Sequence, residues 1–424
     1  MLLIKNGHIY DGAPAETADI LVDGGKIAAI SREIQATAEM QTIDATGLVV
    51  APGLVDMHVH FRDPGFEYKE DIITGAAAAA AGGVTTCCCM PNTSPVADNP
   101  ETVGYIVGKA MGAAVRVLPF GSVTIGQKGA ELTDFAALKE AGATALSDDG
   151  NPVQSAELAR RAMKRARECG LLIVSHCEDA GMVQNYAANE GAASRALGIP
   201  GRPAIAEEIM VARDAMLAAE TGARVHIAHV STAASVEIIR KAKAAGIEIT
   251  AETCPHYFAL TEDEVIRQGA LARVNPPLRT TNDVEAIIRG LADGTLDAIA
   301  TDHAPHSDEE KALPLTETSG GMIGLETSLA LALTFLYHTG EMGIDEIVAR
   351  MSVSPARILG IDAGKLAAGV AADIVVFDPG EEWTVEPERF KSKSRNTPFA
   401  GMKLRGKVKY TIFNGNIVHS ADTR

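Results

Sequence analysis

Four histidines and two aspartates are spaced so that they could act together on a metal ion. His58 and His60 form a His-x-His pair at the end of the apolar run GLVDMHVH. Alternate residues of a strand share a face, so both imidazoles can reach one ion. His176 follows LLIVS, and His229 follows VHIA. Asp302 closes AIATD, and a carboxylate after an apolar run is expensive unless it finds a partner, for which a metal serves. The segment ALSDDG adds Asp148 and Asp149. Neighbouring strand residues point opposite ways, so one of the two is expected to join the others, and spacing alone leaves open which. Taken singly, these residues have ordinary explanations. Asp-Gly is turn chemistry, and a lone strand histidine packs. His226, at opposite parity to His229, is read as a packing histidine that faces the helices. Taken together, four histidines and two aspartates suit Zn2+ or a similar divalent ion. Six ligands exceed one tetrahedral site, so a two-metal site with a bridging carboxylate is expected.

Placing these residues at one spot requires the elements around them to converge. Eight candidate strands run through the middle of the chain: GLVDMHVH, VTTCCCMP, VRVLPFGS, ATALSDDG, LLIVSHCE, RVHIAHVS, IEITAETCPHY and LDAIATDHAPH. Between them lie helix-favouring stretches such as SAELARRAMKRARECG and AEEIMVARDAMLAAETG, with charges on one side of an apolar stripe. Strand–helix alternation predicts an α/β fold with parallel strands, and eight units fit a TIM-like (β/α)8 barrel of the metal-dependent hydrolase type. Barrel sites form at the C-terminal ends of strands, where the polar residues above fall. The alternative is an open doubly wound sheet. No G-x-G-x-x-G opens a helix after the first strand, which argues against dinucleotide binding. Both chain ends carry short alternating strands with Asn-Gly, Asp-Gly and Asp-Pro-Gly turns. They predict a small β-sandwich domain from residues 1–52 and 356–424, around a catalytic barrel of residues 53–355.

Composition bounds the rest. The 424 residues carry 38 Lys and Arg against 55 Asp and Glu, a net charge of −17. Such a chain is a poor candidate for nucleic-acid or anionic-membrane binding, although a buried pocket can still be positive enough for an anionic small molecule. No apolar run approaches the roughly 18 residues of a membrane span, and no signal peptide is evident, so a cytoplasmic protein is expected. The six cysteines include Cys87, Cys88 and Cys89 in a row and no C-x-x-C. They are read as reduced and buried, with Cys177 and Cys254 as small apolar residues rather than nucleophiles.

The segments APGLVDMHVHFRDPG, MPNTSPVADN, ALSDDGNPV, SHCED, AHVSTA, TCPHY, ARVNPPLR, TDHAPHSDEEK and GLETSLAL resemble the amidohydrolase superfamily and, within it, the dihydroorotases of bacterial class I. The resemblance covers residues 52 to about 331, and the β-rich ends also fit the family. It implies a zinc-dependent, reversible cyclisation of N-carbamoyl-L-aspartate to L-dihydroorotate in pyrimidine (UMP) biosynthesis. One zinc is implied on His58, His60 and Asp302 and a second on His176 and His229, with Asp149 bridging the two. Many relatives bridge through a carboxylated lysine, which ATALSDDG lacks. A metal-bound hydroxide as nucleophile and Asp302 as general acid and base follow from the same resemblance. Arg62 is implied to clamp the substrate carboxylate, with Asn92, Asn275, His306, His60 and the backbone of Gly320 and Gly321 as further substrate contacts. His256 and His303 lie in family motifs as supporting or packing groups. The alternatives are a related cyclic-amide hydrolase (allantoinase, dihydropyrimidinase or hydantoinase) and a non-catalytic scaffold for aspartate transcarbamoylase, which would lack the ligands. A homo-oligomer, a dimer first, is expected, with association with aspartate transcarbamoylase left open.

Overall fold

The computed structural model describes residues 1–10, 16–184 and 186–421. The first strands are β1 (Leu2–Ile9), β2 (Glu16–Asp23), β3 (Lys26–Ser31), β4 (Gln41–Asp44) and β5 (Val49–Pro52). The middle of the chain supplies β6 (Leu54–Val59), β7 (Val84–Cys89), β8 (Arg116–Pro119), β9 (Ala145–Leu146) and β10 (Leu172–Ser175). A short parallel pair follows, β11 (Ala188–Asn189) and β12 (Gly201–Arg202), and then β13 (Val225–Ile227), β14 (Ile249–Thr253) and β15 (Ala298–Ile299). The chain ends with β16 (Ile374–Thr384), β17 (Lys403–Phe413) and β18 (Asn416–Ser420).

Both ends of the chain meet in one sheet, ordered β18-β17-β16-β5-β1-β2-β3, with β4 on β1. The seam is the antiparallel pair β16 and β5, in which Ile374 faces Pro52 and Val376 faces Val50. Alternation along these strands divides the side chains. Ile4, Ile20, Val50, Ile374, Val376 and Ile412 pack together on one face, while Val49, Ala51, Val375, Phe377 and Val408 join the core of the α/β part. The expected turn at Asn414-Gly415 is present, with both residues at positive φ (48° and 77°) between β17 and β18. The expected turn at Asp378-Pro379-Gly380 is not a chain reversal. β16 runs through it as a bulge between Asp378 and Glu382, because Asp378 Oδ1 accepts from the Gly380 and Glu381 amides (2.8 and 3.1 Å) and absorbs the irregularity within one strand.

The eight strands of the middle pair in parallel. β6, β7 and β8 form one run, and β9, β10, β13, β14 and β15 another. Parallel bridges Gly121·Leu146 and Val59·His303 link their ends. Alternation again sorts the side chains. Met57, Cys88, Ala145, Leu172, Val174 and Ala298 form a separate buried cluster, whereas Cys87, Ile173, Val225 and Ile227 pack with the helices. The helix Ala156–Cys169 shows why those helices form. Ser155 caps it by accepting from the Leu158 amide, Gly170 ends it at φ 65°, and Leu158, Ala159, Ala162, Met163 and Ala166 make its buried stripe. Five of the six cysteines are buried, and all six are free thiols. Among the described residues, no helix is long and apolar enough to cross a membrane.

Candidate active site

The chemistry-bearing residues fall where the parallel strands end. His58 and His60 close β6, Asp149 follows β9, His176 follows β10, His229 follows β13 and Asp302 follows β15. All six are buried. Asp149 lies among the four rings. Its Oδ1 is 3.4 Å from His58 Nε2, 3.3 Å from His176 Nδ1 and 3.5 Å from His229 Nε2. Its Oδ2 is 3.5 Å from His60 Nε2. Asp302 Oδ1 lies 3.0 Å from His60 Nε2 and 3.5 Å from His58 Nε2. Two atoms bound tetrahedrally to one Zn2+ at roughly 2.0–2.1 Å stand about 3.3 Å apart, and these separations straddle that value. Two triads can each hold a metal ion, His58 with His60 and Asp302, and His58 with Asp149 and His229. His176 Nδ1 faces His229 Nε2 at 2.7 Å. Inside this group His58 Nε2, Asp149 Oδ1 and His229 Nδ1 are buried without a hydrogen-bond partner. Buried polar atoms left unpaired are costly, and a cation between His58 Nε2 and Asp149 Oδ1 would satisfy both.

Burial opposes charge on Asp149, yet the His58 charge and the His176 and His229 rings hold its carboxyl well below the usual range. Asp302 is likewise held low against burial, by His58 and His60. Asp148, the neighbour at opposite parity, does different work. It accepts from the Val123 and Thr124 amides (2.8 and 3.1 Å) and from the Thr124 hydroxyl. Burial outweighs those bonds and raises its carboxyl to about 6.

Fixed partners aim the rings. Glu252 Oε1 holds His58 Nδ1 at 2.9 Å, so Nε2 is the nitrogen turned to the cluster. The other Glu252 oxygen lies 3.2 Å from His226 Nε2, and His226 Nδ1 meets Thr250 Oγ1 at 2.8 Å. His226 is therefore a buttress outside the cluster, but it does not face the helices as expected. It pairs with Val174 on the inner face of the strands, because His229 lies beyond β13 with left-handed backbone and strand alternation does not extend to it. Asn92 Oδ1 holds His60 Nδ1 at 2.9 Å. Asn275 Nδ2 lies 3.4 Å from His176 Nε2, and its Oδ1 meets Arg202, which also pairs with Glu178 at 2.6 Å. Asp56 accepts from the His58 and Thr301 amides (3.1 and 3.2 Å) and so ties β6 to the segment after β15. His303 Nδ1 accepts from the Gly324 amide at 3.1 Å, and His256 is buried edge-on to Tyr257.

Arg62, His306 and Gly320 form a second group. Arg62 Nε donates to Pro305 O at 3.3 Å, and its Nη2 lies 3.4 Å from His306 Nε2. The carboxylates nearest in sequence are engaged elsewhere, Asp63 with Lys109 (2.5 Å) and Glu67 with the Gly65 amide (2.9 Å). His306 Nε2 is 3.0 Å from Gly320 O, and its Nδ1 is 3.1 Å from Glu310 Oε2. Burial, then the charges of Arg62, Lys311 and Lys69, lower the His306 ring to about 3. At Gly321 (φ 137°) a Cβ would meet Ala304 Cβ at 2.7 Å and His306 Nε2 at 3.0 Å, so only glycine fits. Arg62 (φ 61°), His229 (φ 35°) and Asp302 (φ 49°) all hold left-handed backbone. That conformation costs a non-glycine residue about 1 kcal/mol or more and clusters at functional sites.

A dihydro-orotase-like family model matches residues 47–235. The dihydroorotase of Acetivibrio thermocellus is 50% identical over 420 residues, covering 98% of this chain and 98% of that protein. The dihydroorotase of Geotalea daltonii is 50% identical over 424 residues, covering 99% and 100%. The chain belongs to the dihydroorotase family. Solved structures of related enzymes share the dihydroorotase-family architecture. The L-hydantoinase (dihydropyrimidinase) of Arthrobacter aurescens superposes with a TM-score of 0.88 at 27% identity, over 99% of this chain and 96% of that one. A D-hydantoinase from Bacillus sp. AR9 gives 0.87 at 26%, over 99% and 95%. Within this dihydroorotase-family site, sequence reasoning missed Glu252, Asp56, Glu178 and Arg202. Glu252 had a signal, since a carboxylate inside the strand ITAET raises the same question of burial cost that singled out Asp302.

Proposed function

We propose that the chain is a zinc-dependent enzyme that interconverts N-carbamoyl-L-aspartate and L-dihydroorotate. The observation that carries this reading is Asp149 standing among His58, His60, His176 and His229 where a lysine bridge is absent. In the proposal, His58, His60 and Asp302 would hold one zinc and His176 and His229 a second, with Asp149 the carboxylate available to both. The scaffold is proposed to be a (β/α)8 barrel of residues 53–355 beside a β-sandwich of 1–52 and 356–424. The two parallel bridges that join the ends of the strand runs support closure.

Divalent ions bound there would lower the pKa of a water to about 7 and polarise the carbonyl under attack. The residues of the chain supply the rest. In ring opening, the Asp302 carboxylate takes a proton from the attacking water and returns it to the departing ring nitrogen. In ring closure, it takes the proton from that nitrogen and gives it to the leaving oxygen. The Arg62 guanidinium offers two parallel donors to the substrate carboxylate. Asn92, Asn275, His306 and the Gly320–Gly321 backbone fix the ring so that its amide carbonyl meets the cluster.

The test is turnover of L-dihydroorotate beside allantoin, dihydrouracil and hydantoin, with zinc content measured. Strong selectivity for dihydroorotate is expected, and turnover of hydantoin or dihydrouracil instead would overturn the reading in favour of the hydantoinase activity of the structural relatives. Arg62→Ala is expected to raise KM for dihydroorotate about 10- to 100-fold, the cost of a charge-assisted hydrogen bond, with a smaller change in kcat. An unchanged KM removes Arg62 as the clamp. Glu252→Gln is expected to weaken zinc binding about 10-fold, because His58 loses the charged partner that aims it. Competition with a chelator reads this directly, and wild-type affinity would show that the ring needs no such support.

A further inference from the structure

Two segments frame Arg62 and His306, the turn Ala304–His306 and the glycine segment Gly320–Ile323. A single side chain from elsewhere in the chain holds them together. Asn396 is buried, and its Nδ2 donates to Ala304 O and to Gly321 O, both at 3.1 Å. Its Oδ1 accepts from the His306 amide at 3.1 Å, and its backbone oxygen accepts from the Ile323 amide at 3.0 Å. Both amide hydrogens and the amide oxygen are thus used. The groups it grips flank Pro305, whose carbonyl receives Arg62 Nε. One amide therefore fixes the acceptor that orients Arg62, the backbone of His306 and the glycine that leaves room for the His306 ring.

The segment carrying Asn396 is itself pinned. Glu326 accepts from the Lys391 and Ser392 amides (2.8 and 3.1 Å). Glu70 accepts from the Ser392 hydroxyl and from the Lys393 amide (3.2 Å). The Ser394 hydroxyl donates to Lys69 O at 2.8 Å. Two carboxylates that accept main-chain amides on successive residues tie this segment to the elements that carry Glu70 and Glu326.

We propose that Asn396 is a positioning residue for recognition of the substrate carboxylate, acting through the 304–306 turn and the 320–323 segment on Arg62 and His306. The proposal rests on the dihydroorotase reading, and its test separates the two. Wild type, Asn396→Ala, the near-isosteric Asn396→Asp and the control Asn416→Ala, an exposed residue of β18, are compared for zinc content, thermal stability, steady-state kinetics with L-dihydroorotate and calorimetric binding of orotate, a ring of similar shape with the same carboxylate. Both Asn396 variants are expected to keep zinc and to raise KM and the orotate Kd together by about 10-fold, as loss of buried hydrogen bonds predicts, with kcat within about threefold. The aspartate variant folds without a cavity and loses both donations, so it keeps the test open should the alanine variant fail to fold. Asn416→Ala is expected to leave KM and Kd unchanged. Asn396 variants with wild-type KM and orotate Kd would overturn the proposal. So would a loss of kcat or stability with KM unmoved, which marks a merely structural role. A wild-type protein that does not turn over dihydroorotate would instead overturn the functional reading.

Discussion

Replacing Asp302 by asparagine is expected to leave a folded, zinc-retaining protein whose kcat for dihydroorotate falls about 10³-fold, within the range for losing a general acid and base. Asparagine matches aspartate in shape and keeps an oxygen where Asp302 Oδ1 now faces His60 Nε2 at 3.0 Å and His58 Nε2 at 3.5 Å. It loses the negative charge and, with it, the ability to take up and return a proton, so zinc content is measured on the same sample. Aspartate suits that task here because burial, which favours the protonated acid, is outweighed by His58 and His60. The left-handed backbone of Asp302 (φ 49°) is one that asparagine tolerates well, so strain adds nothing to the effect. KM is expected to change little, because Arg62 and His306 bind through other groups. Single-turnover rates together with zinc content make the measurement, and near-wild-type turnover with zinc in place would remove Asp302 from proton transfer. Asp302→Ala should lose zinc as well, which separates the proton role from the ligand role.

The site was legible where side-chain type and strand position coincide. His58, His60, His176, His229 and Asp302 each follow an apolar run, and those runs end at one place because parallel strands all point the same way. Parity misplaced His226: it faces inward beside Val174 and meets Glu252 and Thr250 rather than the helices, because alternation holds only inside β13 and His229 lies past its end. What stayed hidden depends on contacts with no local signature. Asn396 lies in a segment without regular structure and reaches the His306 amide across 90 positions of sequence. Arg202 reaches Asn275 and Glu178 in the same way. Asp378-Pro379-Gly380 misled because its composition is that of a turn, while pairing with β17 on either side kept the strand going. Pattern along the chain records which residues face inward; it does not record which loop closes over which.

The Asp148–Asp149 pair was undecidable by spacing, and it yields the second large effect. On the proposed ligand assignment, Asp149→Ala is expected to reduce bound zinc by at least one equivalent and turnover by about 10³-fold or more, since losing a shared ligand would remove the activation that metal ions supply. The chain should still fold, because the Asp149 side chain faces chiefly the rings around it and ties no other element in place. Asp148→Ala is expected to do the reverse. It strands the Val123 and Thr124 amides, which now donate to Asp148 Oδ1, at a cost of about 2–4 kcal/mol for two buried donors left unsatisfied. Zinc stoichiometry and most of kcat should survive at a temperature where the variant is folded. Asp148→Asn, which keeps an acceptor for those amides, should lie close to wild type in both respects. Zinc titration and thermal denaturation of the three variants therefore split along different axes. Equal zinc loss at both positions would mean that the loop held by Asp148 and the cluster around Asp149 are one unit. Zinc loss at Asp148 alone would reverse the assignment.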